Sequence, residues 1–183
     1  LGGVGPNDFT YPSYLEPSAK GFEGLYPPLQ PWQVQRSEVL VKQSQALFAG
    51  DQTQDISDDE LKQAMQLATD AFQQDMSNGK AAAQLLAIYE KNNDVNNADI
   101  MAALSSRLWP AYGEVRLQVA DYWMRRQNIP NALKEWNVLL TRRGNLYPVI
   151  FPLLVTLMSD PEGRALFDPY IEEPPKWWSD FFS

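Results

Sequence analysis

Sliding the chain along itself by 34 positions brings like residues onto like. Leu86 falls on Ala120, Tyr89 on Trp123, Ala98 on Ala132, Ala102 on Trp136, Ser105 on Leu139 and Pro110 on Gly144. One step earlier, Ala64 falls on Ala98, Ala68 on Ala102 and Ala71 on Ser105. A period of this length is the mark of a repeated supersecondary unit, and a unit that cannot hide its apolar stripe alone must stack on its neighbours. The spacing within each unit is helical, so the recurring object is a pair of helices. A small residue in the first helix admits the second. An aromatic one turn later fills the groove between pairs, and a small residue early in the second helix permits a close crossing.

The punctuation agrees. Ser37 is a possible cap for a helix ending at Gly50. The polar run "DQTQDISDDE" separates it from a second helix, for which Ser57 and Glu60 supply a Ser-x-x-Glu capping box. Asp58, Asp59 and Glu60 then sit in the first turn, where the helix dipole favours negative charge, which explains this acidic cluster without a metal. Leu61, Ala64, Met65, Ala68 and Phe72 share a face. Further breaks fall at "SNG" 77–79, "NDVNN" 93–97 and Pro110. Alternating, Gly-flanked strand runs are missing, so the chain reads as all-α, with helices of about 12–18 residues joined by short polar turns.

This pattern resembles the tetratricopeptide repeat (TPR). Residues 113–144 match its motif through Ala120, Trp123, Ala132 and Trp136, with Leu139 at a small-residue position and Gly144 in place of the family's proline. Residues 79–110 match through Tyr89, Ala98, Ser105 and Pro110, and depart at Leu86 and Ala102. In residues 57–76 only the second-helix half fits. A fourth, partial unit is expected between Leu146 and Tyr170, with Leu154, Leu157 and Tyr170 in loose register. The resemblance implies stacked antiparallel helix pairs, an α-solenoid, in which Ala64, Tyr89, Ala98, Ala120, Trp123, Ala132 and Trp136 serve packing between and within repeats. It also implies a surface that binds another protein or a peptide segment. The Pro-Pro-Trp-Trp ending is similar to that of bacterial cell-envelope TPR proteins.

Three regions follow. Residues 1–35, rich in proline and in Phe9, Tyr11, Tyr14, Phe22, Tyr26 and Trp32, are expected to form an extended arm, because proline fixes φ and removes a backbone donor. Residues 36–170 are the helical repeat domain. Residues 171–183, carrying Trp177, Trp178, Phe181 and Phe182 behind Pro174 and Pro175, are expected to cap the last apolar face or to start a further segment.

Composition narrows the chemistry. The chain has no Cys and no His, which removes disulfides, thiolate and imidazole metal sites, and the familiar Ser-His-Asp and Cys-His arrangements. "LGGVG" at 1–5 has no preceding strand and fails as a phosphate loop. Glu114 with Asp121, and Glu172 with Glu173, are the available carboxylate pairs, and capping or solvation of outer faces accounts for them. The expectation is therefore a protein without catalysis, metal or cofactor. The formal net charge of −8 argues against nucleic acid, yet residues 101–150 carry seven basic residues against three acids. Arg125, Arg126, Arg142 and Arg143 are the candidates for recognising an anionic partner, with Trp177, Trp178, Tyr11 and Tyr14 as candidate aromatic contacts. The alternative partner is a polysaccharide, on whose rings exposed aromatics would stack. No run reaches the ~18 apolar residues of a membrane span, since Leu146 to Met158 is too short. A periplasmic or membrane-associated setting on the envelope side, with an anchor before residue 1, completes the expectation.

Overall fold

A computed structural model of the chain describes residues 30–49, 56–108 and 113–183. All regular structure among them is helical: α1 (Pro31–Ala49), α2 (Asp58–Gln74), α3 (Gly79–Lys91), α4 (Val95–Leu108), α5 (Gly113–Arg125) and α6 (Ile129–Arg142), then a 3-10 turn at Gly144–Leu146, α7 (Tyr147–Ser159), α8 (Pro161–Ala165), α9 (Asp168–Glu172) and α10 (Trp178–Phe181). Neighbours pair: α1 with α2, α3 with α4, α5 with α6. The pairs then stack, α2 on α3 and α4 on α5, while α3 also touches α1 and α5.

The 34-residue period is visible in the backbone. The bounds of α3 and α4 reappear 34 positions later in α5 and α6, and those of α5 reappear in α7. The turns repeat as well. Asn93 and Gln127 both adopt a left-handed φ, at 55° and 57°. Immediately after them Asp94 N–H donates to Tyr89 O, and Asn128 N–H to Trp123 O, each at 2.9 Å. This is the Schellman way of satisfying the last carbonyls of a helix. The next helix in each pair is capped by the same side chain that follows the turn: Asp94 accepts from Asn97 N–H, and Asn128 from Asn131 N–H.

Small residues decide how closely the pairs approach. Ala64, Ala98 and Ala132 are fully buried at equivalent places, as are Ala68 and Ala102. On α1 the same duty falls to serines. Ser37 and Ser44 are buried and donate to Ala71 O (2.8 Å) and Ala64 O (2.7 Å). They accept in turn from Asn78 Nδ2 (2.9 Å) and Gln84 Nε2 (3.2 Å). Two three-membered relays therefore tie α1, α2 and α3 in one register, with the Ser37 and Ser44 hydroxyls both paired as an apolar interior requires.

Two boundaries differ from those expected. The first helix begins at Pro31, so residues 31–35 belong to it and not to an extended arm, and Ser37 is an interior contact instead of a cap. Proline is well suited to the first turn of a helix, where its missing N–H would have had no partner. The remainder of the arm, with Tyr11 and Tyr14, lies outside the described residues. At the other end, residue 171 falls inside α9, and Trp177 shares one core cluster with Trp136, Leu139, Ile150, Leu154 and Phe167. Residues 171–183 are thus part of the same packed body. The structure closes the α7–α8 turn on Gly163, where an added Cβ would lie 2.1 Å from Leu157 O.

Candidate docking surface

The seven residues assigned to packing are placed in the interior: Ala64, Ala98, Ala120, Trp123, Ala132 and Trp136 are buried, and Tyr89 is half-buried between two core clusters. The arginines are not brought together. α5 and α6 are antiparallel, so Arg125 and Arg126 lie at one end of the pair and Arg142 and Arg143 at the other, about 20 Å away along a 13-residue helix. Arg125 is already engaged, its Nε and guanidinium NH2 donating to the two Glu90 oxygens at 2.7 and 2.8 Å and joining α5 to α3. Those hydrogen bonds raise the guanidinium further above its ordinary range. Arg126 faces Asp99 at 3.9 Å, and Asp99 also accepts from the Tyr122 hydroxyl. Arg143 folds its guanidinium over Gly113.

The basic window contains a further arginine with an interior role. Arg116 and Glu135, both nearly buried, form an ion pair between α5 and α6, and Arg116 also donates to Ser106 O on α4 at 3.2 Å. A run of positive charge in the sequence is therefore split among two helix ends, two ion pairs on the surface and one in the core. It does not make a single anion-attracting face.

The aromatic tail is likewise mostly internal. Trp177 is only 2% exposed, and its indole N–H donates to Asn137 Oδ1 at 2.8 Å, which pins the tail to α6. Trp178 is half-buried among Phe167, Trp177, Phe181 and Phe182. Phe182 is the exposed ring of the group.

What the surface does offer is α7. This helix contains no charged residue, and Pro152 in its interior removes one i→i−4 hydrogen bond without ending it. Ile150 and Leu154 face the core, while Val149, Leu153 and Val155 remain exposed. Between α7 and α10 lies a shallow apolar groove of about 560 Å³, lined by Tyr147, Pro148, Phe151, Pro152, Val155 and Phe181. Its wall is aromatic: Tyr147 and Phe151 stack with centroids 4.6 Å apart, and Phe181 meets Phe151 edge-on at 5.1 Å. Burial, and then the neighbouring Asp180 carboxylate, hold the Tyr147 hydroxyl above its usual range, so the one polar group on the wall stays neutral. The sequence signal for this groove was the charge-free run with two prolines, Leu146 to Met158, which reads as too short for a membrane span and as the start of a fourth, partial unit, without marking a groove. Among the described residues no helix is long and apolar enough to cross a membrane, and no group of carboxylates is arranged to hold a metal.

Comparison with protein-family models, with curated proteins and with solved structures finds no match for this chain.

Proposed function

We propose that the chain is a non-catalytic, TPR-like scaffold, an accessory subunit that docks a segment of another protein within a larger bacterial cell-envelope assembly. The observation that carries the TPR-like reading is the recurrence of helix bounds 34 residues apart, from α3 and α4 through α5 and α6 to α7, with the left-handed turn at Asn93 repeated at Gln127. Stacked pairs of this kind are built to present surface, and their interior polar groups are spent on each other. Arg116–Glu135 and the Ser37 and Ser44 relays are examples.

The docking place favoured by the geometry is the α7–α10 groove. It is apolar, walled by packed aromatic rings, and lined by no charged residue, which suits an extended apolar or proline-containing segment better than a sugar or a polyanion. The polysaccharide alternative loses its main support, because Trp177 is internal and Trp178 is half covered. The envelope setting rests on the cysteine-free composition and on the resemblance of the tail.

A photo-reactive side chain placed at Val155 in the full chain, expressed in its native cells, tests the reading. A stoichiometric protein adduct is expected from Val155 and not from Met76, which is exposed on the α2–α3 turn. Failure to form one, or saturable binding of a neutral or acidic oligosaccharide abolished by Val155→Glu, would overturn it.

A further inference from the structure

The second exposed stripe on α7 lies about 100° round the helix from the groove and consists of Val149, Leu153 and Thr156. Its equivalents 34 positions earlier are Val115, Val119 and Tyr122, and 68 positions earlier Ala81, Leu85 and Ile88. All six of those are buried. In α3 they pack on Ala64, Ala68 and Ala71 of the preceding helix, and in α5 on Ala98 and Ala102. On α7 the same stripe is bare, with Val149 60% and Leu153 42% exposed. α7 meets α6 through Ile150 and Leu154, which share one core cluster with Trp136 and Leu139, the residues that stand where α4 offers Ala102 and Ser105. Thr156 donates its hydroxyl to Pro152 O at 2.9 Å, which leaves its methyl outward.

We infer that this stripe is the contact between two copies of the chain, α7 packing antiparallel on α7 about a two-fold axis through Leu153, the middle residue of the helix. Charge selects this occupant. A chain of net charge −8 repels its own copy over most of its surface, but α7 has no charge to oppose itself. Its ends are complementary. Arg142 and Arg143 precede it, whereas Asp160, Glu162 and Arg164 follow it, leaving a surplus of negative charge there. An antiparallel pair therefore sets the basic end of each copy beside the acidic end of the other, and the isologous geometry closes the contact at two copies. Leu153 then meets its symmetry mate, and Val149 meets the second copy's Thr156. One 13-residue helix presents less than the ~800 Å² per partner of a standard interface, so the dimer is concentration-dependent and not obligate.

This inference goes beyond the proposed function and uses a different face, so the two fail separately. Sedimentation velocity on the full chain, from about 5 μM to about 500 μM, is expected to show a monomer–dimer equilibrium weakened at least tenfold by Leu153→Glu or Val149→Glu, or ~1.4 kcal/mol. Both sites are exposed, and circular dichroism checks that the variants fold. Val155→Glu, in the groove, should leave the equilibrium unchanged. Arg143→Glu should weaken the dimer, and Glu162→Arg in the same chain should restore it, as only an antiparallel pair of copies predicts. A wild-type chain that stays monomeric throughout, a dimer indifferent to both stripe variants, or no restoration in the double variant would overturn the proposal.

Discussion

Tyr122 joins interior and surface in one side chain. Its ring is buried against Ala98 and Ala102, and its hydroxyl donates to Asp99, which Arg126 also approaches. Burial first, and then the Asp99 carboxylate, push the phenol well above its ordinary value of 10.0. The sign follows from the neutral form being favoured in the fold. Stability from Tyr122 is complete below the unfolded pKa and is lost as pH rises from about 10 towards the higher folded value. Urea unfolding at pH 9, 10 and 11 should therefore show wild type losing stability faster than Tyr122→Phe, and equal slopes would refute the assignment. At this scale the sequence was informative about small residues and uninformative about charge. Ala98 and Ala132 announce their burial by size and spacing. Nothing in the residue type distinguishes Arg116, closed inside on Glu135, from Arg125, open to solvent on Glu90, because the difference depends on which helix face each occupies.

Elements were legible where termination is chemical. The Ser57–Glu60 capping box forms as expected, with Glu60 Oε2 accepting from Ser57 N–H at 3.0 Å. The start of α1 was not, since Pro31 reads as a breaker when taken alone and as a good first-turn residue once the helix behind it is known. The path of α7 was half legible: its place in the 34-residue register could be expected, but not the exposure of Val149 and Leu153, which depends on how α7 meets the other helices. Two glycines separate the kinds of constraint. A methyl at Gly163 would strike the Leu157 carbonyl, a backbone atom, whereas at Gly113 it would meet the movable guanidinium of Arg143. Gly163→Ala is expected to cost ~1–3 kcal/mol and Gly113→Ala to be nearly neutral. Thermal denaturation of the two variants side by side decides it, and similar melting temperatures would mean that the α7–α8 turn yields.

Across the molecule, the stack is most enclosed at α3, which packs on α1, α2, α4 and α5 and buries eight of its thirteen residues. Beyond α7 the helices have five residues or fewer, and the chain is held chiefly by the side chains of Phe167 and Trp177, which immediately precede α9 and α10. Protection should follow that gradient. Hydrogen exchange read by mass spectrometry on the full chain is expected to be slowest in α3 and fastest across α8 to α10, and an α3 that exchanges as fast as α9 would show the stack to be looser than its packing implies. The layered, all-helical plan was within reach of the sequence because a period survives even when individual residues drift. The exposed face of α7 was not, since Val149 and Leu153 repeat the residue types of positions that are hidden elsewhere. The bare stripe on α7, where the equivalent positions of α3 and α5 are covered, leaves this side of the stack with an apolar flank for something else to meet.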